Sequence, residues 1–118
     1  MRIVRLYAGP DGQSHFEDLE FRPSEEGVNG EMRPLLPAAG DVTWRHVPPG
    51  PPRDWHTAPR RQYVIVLSGE MEIEVAGGVK RRFKTGDVLL TEDLSGKGHI
   101  TRTVGDQPRV LLNVPIAK

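Results

Sequence analysis

The stretch "QYVIVLSGEMEIEVAGGVKRRFKTGDVLL", residues 62–90, leaves this chain little choice of architecture. "QYVIVL" (62–67) is a β-branched run that Ser68-Gly69 turns before a helix could develop. "EMEIEVA" (70–76) alternates Met71, Ile73 and Val75 with Glu70, Glu72 and Glu74, the period of two that a half-buried strand requires. Gly77-Gly78 signals a two-residue hairpin turn, and "VKRRFK" (79–84) returns with basic residues placed to pair across it with the glutamate face. "TGD" then turns the chain into "VLLT" (88–91).

The same grammar runs in both directions. "RIVRLY" (2–7) is a strand stopped by Gly9-Pro10-Asp11-Gly12. "HITRTV" (99–104) follows the polar loop "EDLSGKG" (92–98), and "RVLLNV" (109–114) follows a turn at Gly105-Asp106. "DVTWRHV" (41–47) sets Val42, Trp44 and His46 against Thr43, Arg45 and Val47, a strand with two different faces. "PPGPPRD" (48–54) is expected to be an extended loop, because each proline fixes φ and removes a donor. "HFEDLEF" (15–21) reads as a strand or a short turn of helix. Residues 23–40, with Pro23, Gly27, Gly30, Pro34, Pro37 and Gly40, read as loop with at most short strands. The expected fold is therefore all-β, an antiparallel sandwich or barrel with little helix. A length of 118 residues sets one domain. Its barrel core falls at about 41–114, with N-terminal strands and a loop over 1–40.

Composition narrows the function classes. Sixteen basic and sixteen acidic residues cancel, which argues against nucleic acid or an anionic membrane as partner. The chain has no cysteine, so disulfides and thiolate chemistry are excluded. "MRIVRLYAGPDG" turns polar before a signal-peptide core could form, and no stretch approaches a membrane span. A cytoplasmic protein is the expectation.

Two motifs resemble those of the cupin family. Gly50, five residues, His56-Thr57-Ala58, three residues, Gln62, six residues and Gly69 follow the spacing of the first cupin motif. Gly86-Asp87 opens the second and His99 closes it, with two extra residues in the loop and Glu92 where proline is usual. The resemblance covers roughly residues 41–114. It implies a small double-stranded β-helix, or jelly-roll barrel, whose ligand site lies inside between the two motif strands. It also implies a homodimer, since cupins commonly pair through sheet edges and an exposed edge is otherwise a liability.

In metal-binding cupins two histidines and a glutamate of the first motif join the second motif's histidine around one divalent ion. Here only His56 and His99 stand unchanged at those places; Ala58 cannot ligate, and Gln62 offers a neutral carbonyl oxygen. The implied metal set is His56, Gln62 and His99. Replacing a carboxylate by an amide leaves about one more positive charge on the ion. A metal here (Zn, Ni, Fe or Mn) is therefore expected to be weakly held, with an anionic chelating ligand bound alongside. The competing expectation is a metal-free polar pocket, in which these three groups bond one another or water.

Strand parity puts Gln62 with Val64 and Val66, and His99 with Thr101 and Thr103. A pocket lined by these suits a small polar molecule in apolar walls. Arg60 shares parity with Gln62 and stands as an anion clamp at the mouth or as a solvated strand-end charge. Trp55 roofs the pocket or caps the barrel rim. Glu92 and Asp93 stand as candidate acid/base groups, or a replacement ligand, or an ordinary polar turn. His15 and His46 are read as incidental. Two functions follow: a metal-dependent enzyme of oxygenase, isomerase or lyase type acting on a small anionic molecule, and a non-catalytic module that binds such a molecule.

Overall fold

In the computed structural model, which describes residues 2–20 and 38–117, ten strands form two sheets. They are β1 (Arg2–Ala8), β2 (Ser14–Glu20), β3 (Thr43–Val47), β4 (Arg53–His56), β5 (Gln62–Ser68), β6 (Glu70–Val75), β7 (Val79–Lys84), β8 (Val88–Glu92), β9 (His99–Thr103) and β10 (Arg109–Pro115). One sheet runs β2-β1-β8-β5-β10-β3 and the other β4-β9-β6-β7. All pairs are antiparallel except β1 with β8, which run parallel. The all-β expectation holds. Among the described residues, no helix is long and apolar enough to cross a membrane. The loop reading of residues 23–40 lies, up to residue 37, outside the described residues.

Three local readings change. "HFEDLE" is strand, zipped to β1 from Ser14 opposite Ala8 to Glu20 opposite Arg2. The hairpin between β6 and β7 is closed by three residues, because Val75 pairs with Val79 and Ala76–Gly78 form a single 3₁₀ turn. Gly77 and Gly78 both take positive φ there, the conformation that suits glycine. The end of the proline loop is strand β4, whose Arg53 pairs with Thr101 and whose His56 pairs with His99 across a register shift. Proline composition hid it, since the prolines stop at Pro52.

The core explains the two kinds of strand. On β6 the inward Met71, Ile73 and Val75 are buried, while the glutamates between them face basic neighbours such as Arg102. On β5 the inward Val64 and Val66 are buried, and the outer face is also partly covered, which is why its run is apolar throughout. These residues pack with Val4, Leu6, Phe83, Leu89 and Leu111 into one cluster. Truncating a fully buried side chain such as Phe83 costs about 3–5 kcal/mol in such a core. The cluster fills the β1, β6 and β7 side of the sandwich. Strands β3 and β4, each at the edge of its own sheet, flank the other side, and there the interior turns polar.

Candidate functional site

A cavity of about 300 Å³ opens on that polar side, within the size range of small-molecule sites. Its floor is the cluster's own Val64, Met71, Ile73, Leu89 and Leu111. His56, Gln62 and His99 all line it, as does Thr101. The three groups at the family's ligand positions therefore share one cavity, and the two imidazole centroids lie 4.4 Å apart at an interplanar angle of 58°.

Each imidazole is held from behind. His56 Nδ1 donates to the Asp54 carbonyl at 2.7 Å. His99 Nδ1 lies 2.5 Å from Asp93 Oδ2, which also accepts from Ser14 Oγ at 2.7 Å. Asp93 and Ser14 are buried, with Asp93 entirely so. Both histidines thus spend Nδ1 on an acceptor and keep Nε2 for the cavity. Burial pushes the His56 imidazole below its ordinary value; the bond to Asp54 works the other way, and His99 and Arg53 add to the depression. The chain reaches this geometry through Gly98, at φ +79°, whose missing side chain lets the start of β9 press against the His56 carbonyl.

The two acidic candidates separate. Asp93 lies behind His99, placed to orient the ring, and does not line the cavity. Glu92 alternates to the other side of the strand end, where Arg5 Nε donates to it at 2.7 Å and Arg61 Nε also donates. Burial raises its carboxyl, but the bonds to Arg5 and Arg61 outweigh that and hold it below the usual range. Glu92 is committed to that ion-pair network and is not part of the cavity wall. Trp55 is also off the cavity, with its ring under Lys97 Nζ at 4.1 Å. Thr103 lies beyond the wall and accepts from Arg109 Nη1 at 2.5 Å. Arg60 does line the cavity.

Three more arginines join it: Arg45 of β3, Arg53 of β4 and Arg109 of β10. Among the described residues no carboxylate lines the cavity, and none pairs with any of the four guanidiniums. Burial depresses Arg45 and Arg109, and the repulsions that add to this run from Arg53 to Arg45 and from Arg45 to Arg109. The cavity therefore concentrates positive charge in a half-buried space. Sequence parity had already put Arg45 on the face of Thr43, but pairing β3 to β10 was needed to turn that face inward.

As a metal centre the donor set is poor. Among the described residues no three His, Asp or Glu side chains gather where they could hold an ion. Two imidazoles and one amide bring no negative charge. Two unit charges ~8 Å apart repel by ~2 kcal/mol at an effective dielectric of ~20, and a divalent ion doubles this for every arginine. The residues present do not fit a resident divalent cation.

Comparison with known proteins agrees with this architecture. A cupin barrel domain protein from Salinispora arenicola CNS-205 superposes with a TM-score of 0.52 at 23% identity, covering 81% of this chain and 87% of that one. The cupin domain of Cnp3 from Schizosaccharomyces pombe gives 0.51 at 11% identity, over 88% and 73%. Both likenesses concern the fold alone. In sequence, 56 residues are 37% identical to oryzines biosynthesis cluster protein J of Aspergillus oryzae, a match spanning 48% of this chain and 31% of that protein. The family model for the cupin domain matches residues 43–115, well over half of the chain and all of its cavity-lining strands. The chain belongs to the cupin family.

Proposed function

We propose that this cupin binds a small organic anion inside its barrel. The observation that carries the reading is a cavity wall that holds, among the described residues, four arginines and no carboxylate. Guanidinium forks match carboxylate geometry, and charge-assisted hydrogen bonds are about twice as strong as neutral ones. The apolar floor takes the carbon skeleton. His56, Gln62 and His99 line the same cavity and add hydrogen-bonding groups to it, with the His99 ring oriented by Asp93.

Isothermal titration with succinate and with its neutral diamide tests this. Succinate is expected to bind and the diamide not. Arg45→Met or Arg109→Met should weaken succinate by roughly 10- to 100-fold, the loss of a charged hydrogen bond worth about 1.5–3 kcal/mol. Added salt should weaken it further at the more exposed arginines. Equal affinity for the diamide, or indifference to both substitutions, refutes the reading.

The two unengaged Nε2 atoms support a second reading, a divalent ion that enters only with a chelating anion supplying the missing charge. Gln62→Glu should then raise affinity for Zn²⁺ or Mn²⁺ at least ten-fold in the absence of any anion. If the substitution leaves metal affinity unchanged, that reading fails and anion binding stands alone.

A further inference from the structure

Two polar side chains on β10 are almost fully buried in the cavity wall and incompletely satisfied. Asn113 is 7% exposed, and its Oδ1 has no hydrogen-bond partner among the described residues. Arg109 is 6% exposed; Nη1 donates to Thr103, while Nε has no partner. The two face the same way on the strand, on either side of Leu111, and β3 sets Thr43 opposite Asn113 and Arg45 opposite Leu111. The inward strip thus carries cationic groups at one end and an amide with a hydroxyl at the other.

We infer that the ligand is a small hydroxycarboxylate, its carboxylate received by Arg109 and Arg45 and a hydroxyl received by Asn113. This rests on the anion-binding reading and names the class of anion. Because Thr103 occupies Nη1 of Arg109, the side-on fork of Nε and Nη2 remains for an acceptor with two oxygens. The amide needs a partner that both donates and accepts, which a hydroxyl does in either amide orientation. A keto oxygen accepts only and leaves Oδ1 orphaned. An ammonium donates, but into a cavity that already holds four guanidiniums.

Titration of the full chain with matched acids tests the inference: L-malate and D-malate against succinate, and D-gluconate against hexanoate. At least one hydroxy acid should bind about ten-fold tighter than its deoxy counterpart, the size of one buried hydrogen bond. Asn113→Leu should bring that ratio close to one while keeping the deoxy acid bound, and Arg109→Met should weaken both. Asn113→Ala repeats the test if the leucine variant does not fold, and the wild-type ratio needs no variant. If the acids bind but no hydroxy acid is preferred, the ligand class is overturned and anion binding survives. If none of the five acids binds, the anion reading falls with it. If glycerol 3-phosphate binds more tightly than every carboxylate, the headgroup assignment is wrong.

Discussion

Asp93 offers the most direct test of how the site is held. Its carboxylate is fully buried and receives two side-chain hydrogen bonds, from His99 Nδ1 at 2.5 Å and from Ser14 Oγ at 2.7 Å. Both bonds fall on Oδ2, while the buried Oδ1 has no partner among the described residues. Asp93→Asn can therefore keep both on its amide oxygen, but it loses the charge that assists them and leaves a buried NH2 unpartnered. A hydrogen bond to a charged group is worth about 1.5–3 kcal/mol against about 0.5–1.5 kcal/mol for a neutral one, so the charge lost across two bonds costs about 1.5–3 kcal/mol in all. For a chain of 118 residues, about 2.1 cal/mol/K per residue gives an unfolding entropy near 0.25 kcal/mol/K. A loss of 1.5–3 kcal/mol therefore lowers Tm by about 6–12 °C. Thermal unfolding followed by circular dichroism reads this shift. Ser14→Ala alone should cost about 1 kcal/mol, and the two substitutions together should cost less than their sum, because they share one acceptor. The NMR signal of the His99 Nδ1 proton should move upfield in the asparagine variant as the charge-assisted bond is lost. A Tm change under 2 °C, or strict additivity with Ser14→Ala, would refute the view that this carboxylate anchors the cavity's imidazole.

Two further outcomes follow from geometry around the site. Gly98→Ala places a methyl group against the His56 carbonyl at positive φ, so it should cost about 3 kcal/mol or more; Gly77→Ala, at φ +85° in open space, should cost only about 1 kcal/mol. Chemical denaturation of both variants checks the contrast, and equal losses would mean that the close approach of β9 to β4 is absent. Glu92→Gln should destabilise by about 1–3 kcal/mol at pH 7 by removing the charge and one of the two oxygens that accept from Arg5 and Arg61. Because the Glu92 carboxyl titrates below its ordinary 4.5, the unfolded chain takes up this proton first; the contribution is complete above that pH and disappears as pH falls through the folded value. Stability of wild type and variant should therefore converge on acidification, and a gap that persists at low pH would show that charge is not its source.

The parts of this molecule legible in its sequence are those that depend on alternation along one strand. Met71, Ile73 and Val75 announce their own face, and so do Gln62, Val64 and Val66. The convergence of His56, Gln62 and His99 was implied only by the resemblance to the family's two motifs, because it depends on pairing β4 to β9, strands far apart in the chain. What stayed hidden depends on pairing between strands far apart in the chain. Arg45 reads as one of two faces of an edge strand until β3 is zipped to β10, more than sixty residues away in sequence, with Arg45 opposite Leu111. Arg53 was masked by the prolines before it, and Arg109 by its place at the first position of a strand, where a solvated charge is ordinary. Glu92 and Asp93 are neighbours in one polar stretch, yet alternation at the end of β8 sends one to the Arg5–Arg61 pair and the other behind His99.

On the anion-binding proposal, the amide at the family's acidic ligand position and the gathering of arginines share one electrostatic logic. A cavity built for a divalent cation needs negative charge in its walls, and neighbouring guanidiniums would oppose that cation. A cavity built for an anion needs the reverse, and a carboxylate at position 62 would repel the ligand at close range. Gln62 keeps the size of glutamate and the ability to hydrogen-bond while removing its charge, so it is compatible with an anion where glutamate is not. Asp93 fits the same logic, since its charge lies behind His99 and bonds to the ring and to Ser14 instead of facing the ligand. The imidazole screens the ligand from that carboxylate, and while Nδ1 carries the ring proton its Nε2 accepts, so it suits a hydroxyl hydrogen of the bound acid. On this reasoning Gln62→Glu and Arg109→Met should both weaken a bound organic acid, by adding a negative charge in one case and removing a positive one in the other.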